Sequence, residues 1–150
     1  MSSHQATNGM TNSWGTPPEI IERLGPFDDD PCPIGGEGGL ERAWNGFVWL
    51  NPPYGQQTGA WLAKLAEHGN GIALVFARTE TKMFFDHVWP FADSLLFIRG
   101  RLHFYSKDGE RAKGNAGAPS VLIAYGEEAD KRIQRGGIAG VYLKNQRKII

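Results

Sequence analysis

One cysteine, Cys32, is present in 150 residues, so neither an intrachain disulfide nor a multi-thiolate zinc site can form. Long apolar runs are missing too: no window approaches the ~18 consecutive apolar residues of a membrane span. The first fifteen residues are polar and lack the apolar core of a secretion signal. A cytoplasmic protein with no membrane partner is the expectation. Net charge is absent, 16 Lys and Arg balancing 16 Asp and Glu. His4, His68 and His87 have no ligand spacing with one another, so no metal centre is expected. There is no internal repeat and no heptad pattern. These absences exclude a secreted disulfide knot, a membrane protein and a collagen-like chain.

What remains is enough for one folded unit. A chain of this length buries about two-thirds of its unfolded surface and needs no staple. Residues 1–12 read as a flexible lead-in of small polar residues, and 13–150 as a single domain. The neutral total hides a polarity. Residues 1–98 carry 5 Lys/Arg against 11 Asp/Glu, a net of −6, and residues 99–150 carry 11 against 5, a net of +6. A basic C-terminal third is either a solvated surface or an attraction for a polyanion.

Thr16-Pro17-Pro18-Glu19 reads as a helix start, with Thr16 as N-cap and Glu19 closing a capping box. Ile20, Ile21 and Leu24 give that helix an apolar side, and Gly25-Pro26 ends it. Residues 47–50 form a short β-prone run stopped by Asn51-Pro52-Pro53. Trp61, Leu62, Leu65 and Ala66 mark a helical face that ends at Gly69-Asn70-Gly71. Residues 72–77 are the most continuous apolar run, as in a central parallel strand covered on both faces. A helix over 82–89 is stopped by Pro90, and 94–99 and 120–125 are further strands around a long glycine-rich loop at 106–118. Residues 141–143 could add a last strand. Strands alternating with helices predict an α/β domain with a mostly parallel sheet.

In an open parallel sheet the active site forms outside the carboxyl ends of the strands. Asn51-Pro52-Pro53-Tyr54 sits at such an end. A plain turn would use similar residues, but the chemistry available here is specific. The exocyclic amino group of adenine is a poor nucleophile because its lone pair is delocalised into the ring. Two acceptors that take hydrogen bonds from both its hydrogens favour a pyramidal, nucleophilic nitrogen. Asn51 offers its side-chain carbonyl and Pro52 its backbone carbonyl, while the two prolines hold the backbone in advance. Tyr54 can stack on a base taken out of its helix, a contact worth ~1–3 kcal/mol.

Asn-Pro-Pro-Tyr after a hydrophobic strand resembles the catalytic motif of amino-group methyltransferases that use S-adenosyl-L-methionine. The wider pattern is similar to the small phage DNA N-6-adenine methyltransferase family. It includes Trp14-Gly15-Thr16-Pro17, the 27–33 segment with Asp30, residues 48–55, Ala77-Arg78-Thr79, residues 99–104 and Ala118-Pro119-Ser120. The resemblance implies a reduced Rossmann-like fold and methyl transfer to adenine N6 in DNA. It also implies a phage or prophage origin in a bacterial cytoplasm. By the same resemblance Asn51, Pro52, Pro53 and Tyr54 are catalytic, and Trp14, Thr16 and Pro17 border the methionine end of the cofactor. Asp30, Pro31 and Cys32 correspond to the acidic cofactor-binding turn, with Asn51 also facing the cofactor. A carboxylate suits the cationic ammonium and sulfonium, although Asp30 is also one of three consecutive acids that read as a solvated run. Gly35, Gly36, Gly38 and Gly39 are either a cofactor loop or a linker. About twenty residues separate the acidic turn from Asn51, where larger relatives place two more strand–helix units. The adenosine pocket is therefore abbreviated, and a homodimer could complete the fold or the DNA footprint.

For DNA contact the candidates are Arg78 and Lys82 after the central strand, Arg99 and Arg101 beside His103, Phe104 and Tyr105, and Lys107, Arg111 and Lys113 in the long loop. Phe104 reads as core. Cys32, between two prolines and with no paired base, reads as packing or cofactor lining. A non-catalytic DNA-binding subunit of methyltransferase fold is the rival from a different class. RNA or a protein amide is the rival substrate.

Overall fold

The computed structural model describes residues 15–34, 38–105, 110–111, 114 and 117–146. The lead-in expected at 1–12, Trp14, Gly35, Gly36, Lys107 and Lys113 lie outside the described residues. In chain order the elements are α1 (Pro18–Leu24), β1 (Val48–Leu50), α2 (Thr58–His68), β2 (Gly71–Phe76), α3 (Lys82–His87), β3 (Ser94–Ile98), β4 (Ser120–Tyr125), α4 (Glu127–Arg135) and β5 (Gly140–Lys144). Helices cover both faces of one five-stranded sheet.

The sheet order is β1-β2-β4-β3-β5. It is mixed, which corrects the expectation of a mostly parallel sheet. Only β1 and β2 pair in parallel, with Trp49 opposite Ile72, whereas β2–β4, β3–β4 and β3–β5 are antiparallel. Continuous apolar runs report burial on both faces, not strand direction. All six residues of β4 are buried although both its neighbours run against it. Direction is set by the connections. Parallel neighbours need a crossover, which α2 supplies between β1 and β2. The 99–119 connection between β3 and β4 contains no helix among its described residues, and its two strands pair antiparallel.

Alternation along the strands builds two cores. Val48, Leu50, Ala73, Val75, Val121 and Ile123 face α2 and α3, meeting Trp61, Leu62, Leu65 and Phe84. Trp49, Ile72, Leu74, Leu122 and Ala124 face the other way, onto Ile20 and Leu24 of α1 and Ala129 and Ile133 of α4. Each fully buried Leu or Ile contributes ~1.5–3 kcal/mol, so the central strands anchor both layers. The left-handed Gly69 (φ 73°) ends α2 and lets the chain turn directly into β2.

α1 starts without the expected cap. Pro17 occupies the N-cap position with no side-chain hydrogen bond, and the Thr16 hydroxyl is turned inward to other partners. At the far edge Asp130 ties α4 to the sheet. Its carboxylate accepts from Ser94 Oγ (2.5 Å), Tyr142 Oη (2.6 Å), Lys144 Nζ (3.0 Å) and Gln134 Nε2 (3.2 Å). Burial alone would raise its pKa, but these hydrogen bonds and the Lys144 charge outweigh that and hold it below the usual value.

Candidate active site

Two neighbouring segments deliver the site. The acidic run lies against the free side of β1: Asp29 forms a parallel bridge with Val48, and its carbonyl accepts from Trp49 N at 2.9 Å. Two of the three acids are consumed in holding this arrangement. Asp28 Oδ2 accepts from Phe47 N at 2.7 Å, above a left-handed Gly46 (φ 64°) where a Cβ would sit 2.3 Å from that oxygen. The Asp29 carboxylate takes both Arg42 Nη1 (2.9 Å) and Nη2 (2.8 Å), and Asn45 N at 3.0 Å. Arg42 holds the Asp29 pKa below its ordinary value despite the opposing effect of burial. Asp30 follows at the same end of the sheet as Asn51.

There Gly15, Thr16, Asp30, Cys32, Pro33, Ile34, Trp49 and Asn51 line one small cleft with about 10 Å³ of interior space, room for roughly one water-sized group. Of the expected cofactor residues the structure brings Thr16, Asp30, Cys32 and Asn51 together. Pro17, buried as the helix cap, and Pro31 are not among the lining residues. Burial, then the nearby Asp30 charge, pushes the Cys32 thiol up to about 12. It stays protonated at neutral pH and is inert as a nucleophile. Gly39 is packed against its neighbours and is not a free linker. It is buried, a Cβ there would meet the Pro31 carbonyl at 2.2 Å, and its own carbonyl accepts from Trp44 Nε1 at 2.7 Å.

The Asn51 turn is braced from both sides. Asn51 Nδ2 donates to Thr16 Oγ1 at 3.1 Å, and Trp49 Nε1 donates to the same oxygen at 3.1 Å. Past the prolines, Thr58 Oγ1 donates to the Pro53 carbonyl at 2.6 Å and accepts from Gly55 N at 3.0 Å. Tyr54 does not stand alone at the surface. Its ring stacks on Phe76 with centroids 4.1 Å apart and planes 2° from parallel, and burial raises the phenol pKa well above its ordinary value. The Arg78 guanidinium lies 5.6 Å from the centroid of the same Phe76 ring. Phe76 thus carries two of the expected residues, a role hidden because it ends an apolar strand and reads as core.

The basic segment reaches the cleft by backbone pairing. Gly15 and Tyr105 exchange hydrogen bonds, Gly15 N to Tyr105 O at 2.8 Å and Tyr105 N to Gly15 O at 3.0 Å. A Cβ on Gly15 would lie 2.7 Å from Ile34 Cδ1 and 3.3 Å from the Tyr105 carbonyl, so a side chain there would push the tip of Ile34 aside. Tyr105 also bridges Arg111, which brings that residue alongside. Phe104 is buried in the core, as expected. Arg99 and Arg101 are exposed where the chain leaves β3, three strand positions from β1 and so about 14 Å along the sheet end. Lys82 is paired instead with Asp86 at 2.6 Å on the outer side of α3.

No family model, curated protein or solved structure matches the chain. Among the described residues no helix is long and apolar enough to cross a membrane.

Proposed function

We propose that the chain is an S-adenosyl-L-methionine-dependent methyltransferase that acts on an exocyclic amino group. Within that class its substrate is adenine N6 in DNA, and its fold is a reduced Rossmann-like one in which the 28–30 segment stands in for missing strands. One observation carries this reading: Asn51, at the carboxyl end of β1, shares a cleft with Thr16, Asp30 and Cys32, drawn from separate stretches of the chain.

The donor set suits the cofactor's methionine end. Asp30 supplies a carboxylate for a cationic group, and the neutral Cys32 thiol does not compete as a methyl acceptor. Ligand pockets usually span roughly 300–1,000 Å³, whereas this cleft has only about 10 Å³ of interior space, so it can meet no more than the methyl-bearing tip of the cofactor. When bound, S-adenosyl-L-methionine supplies an electrophilic methyl group on a sulfonium. The Asn51 side-chain carbonyl and the Pro52 carbonyl accept from the target amine and draw its lone pair out of conjugation. The braces from Thr16 and Thr58 hold these acceptors before substrate arrives. Tyr54, half-buried and stacked on Phe76, is the candidate to stack on an extruded base with the part of its ring left exposed.

Arg78, Arg99, Arg101 and Arg111 supply phosphate contacts around this end of the sheet. Lys82, already paired with Asp86, is a weaker candidate. The small cleft favours one rival, a DNA-binding subunit without catalysis. Incubating the protein with S-adenosyl-L-methionine and duplex DNA, then digesting to nucleosides for mass spectrometry, tests the choice. N6-methyladenine is the expected product. DNA binding with no methylated nucleoside supports the rival, and methylated RNA or protein with unmodified DNA overturns the substrate.

A further inference from the structure

We propose that Thr16 is a positioning residue for Asn51, setting which end of its carboxamide faces the cleft. This rests on the reading of Asn51 as a hydrogen-bond acceptor for the target amine. Thr16 and Trp49 are buried, at 4% and 2% exposure. Residues 49 and 51 lie two apart at the end of one strand, so their side chains leave on the same face. That is the face covered by α1, and Thr16 lies just ahead of this helix.

The three side chains meet at one oxygen. An indole N–H can only donate, so Thr16 Oγ1 is an acceptor toward Trp49 at 3.1 Å. A hydroxyl oxygen has a second lone pair, and Asn51 Nδ2 donates to it at 3.1 Å. A carboxamide has one donor end and one acceptor end. Tying the nitrogen back to Thr16 turns Oδ1 the other way, toward the amine. Without the hydroxyl the amide can turn over and set a donor against the donor hydrogens of the substrate. The Trp49 indole would also lose its partner. Thr16 thus acts on catalysis through another side chain, a role separate from bordering the cofactor.

The test compares Thr16→Val, which keeps shape but removes the hydroxyl, with Thr16→Ser, which keeps the hydroxyl. For Thr16→Val, kcat is expected to fall on the order of tenfold to a hundredfold while KM and Kd for S-adenosyl-L-methionine change less than about threefold. Thr16→Ser should recover most of kcat. In an Asn51→Ala background Thr16→Val should cost almost nothing further, since the group it positions is gone. A raised cofactor Kd with intact kcat, or additive losses in the double variant, overturns the proposal. The Asn51 side-chain amide protons give a readout independent of turnover. One of them should be slow to exchange in the wild type and in Thr16→Ser but fast in Thr16→Val. Unchanged exchange overturns the relay even if the wild-type protein methylates nothing, an outcome that separately overturns the proposed function. Should Thr16→Val fail to fold, Thr16→Ala removes the same hydroxyl, and loss of amide protection is again the expected result.

Discussion

Replacing Asp29 by Asn tests how the acidic run is held beside β1. The change keeps the shape but removes the charge that binds Arg42 through two hydrogen bonds of 2.8 and 2.9 Å. It also sets an NH₂ group against the guanidinium or the Asn45 N–H. The Asp29 side chain is 11% exposed and Arg42 45% exposed, so solvent screens half of the pair. Exposed ion pairs contribute ~0.2–1 kcal/mol and a hydrogen bond ~1 kcal/mol, with charge-assisted ones stronger. The expected cost is therefore ~2 kcal/mol, a fall in Tm of roughly 4–8 °C at this chain length. The effect is pH-dependent in a stated direction. Arg42 holds the native Asp29 pKa below the unfolded value near ~3.9. The stabilisation is complete above that value and is lost as the pH falls through it toward the native pKa. Urea unfolding followed by circular dichroism at pH 7 and at pH 3 should show the gap between wild type and variant shrinking in acid. A gap under ~0.5 kcal/mol at pH 7, or one that stays constant with pH, refutes the reasoning.

Asp30→Asn should leave the protein folded and weaken S-adenosyl-L-methionine binding about tenfold to a hundredfold, since a charge-pair energy of ~4 kcal/mol at contact is partly screened; unchanged affinity by calorimetry removes Asp30 from the site. Changing Arg99 and Arg101 together to Ala should flatten the log–log salt dependence of DNA binding by up to roughly two units with cofactor binding intact, and identical slopes would exclude both residues from the interface. Asp130→Ala strands the buried Ser94 hydroxyl and the Tyr142 hydroxyl, a cost of ~2–4 kcal/mol. It should speed hydrogen exchange in β5 far more than in β2. Because the native Asp130 pKa is lowered, wild-type β5 should loosen likewise as the pH falls below ~4; β5 exchange that does not respond to acid contradicts this.

The elements that were legible in the sequence are those whose signal is local. β4 coincides with the apolar run at 120–125, and β2 and α2 carry their own periodicity and glycine stops. The 127–135 helix gave no comparable signal, because its buried side is only Ala129, Asp130 and Ile133. Strand direction was not legible, since apolar runs record coverage and not polarity. At the site, Asn51 and Asp30 were marked by their neighbours in sequence. The inward turn of Thr16 was not, because a Thr-Pro-Pro-Glu string satisfies capping chemistry equally well and only tertiary packing sets Trp49 and Asn51 against it. Phe76 was hidden for a related reason: a strand-end aromatic looks the same whether it fills a core or supports Tyr54 and Arg78.

The central claim is that Asn51 presents an acceptor to the reacting amine. The most direct measurement is single-turnover methyl transfer to adenine-containing duplex DNA by wild type and Asn51→Ala, with S-adenosyl-L-methionine affinity measured on the same samples. Loss of one preorganised hydrogen-bonding group predicts a rate lower by roughly a hundredfold or more with a far smaller change in cofactor affinity. A variant that methylates adenine at close to the wild-type rate would contradict the account.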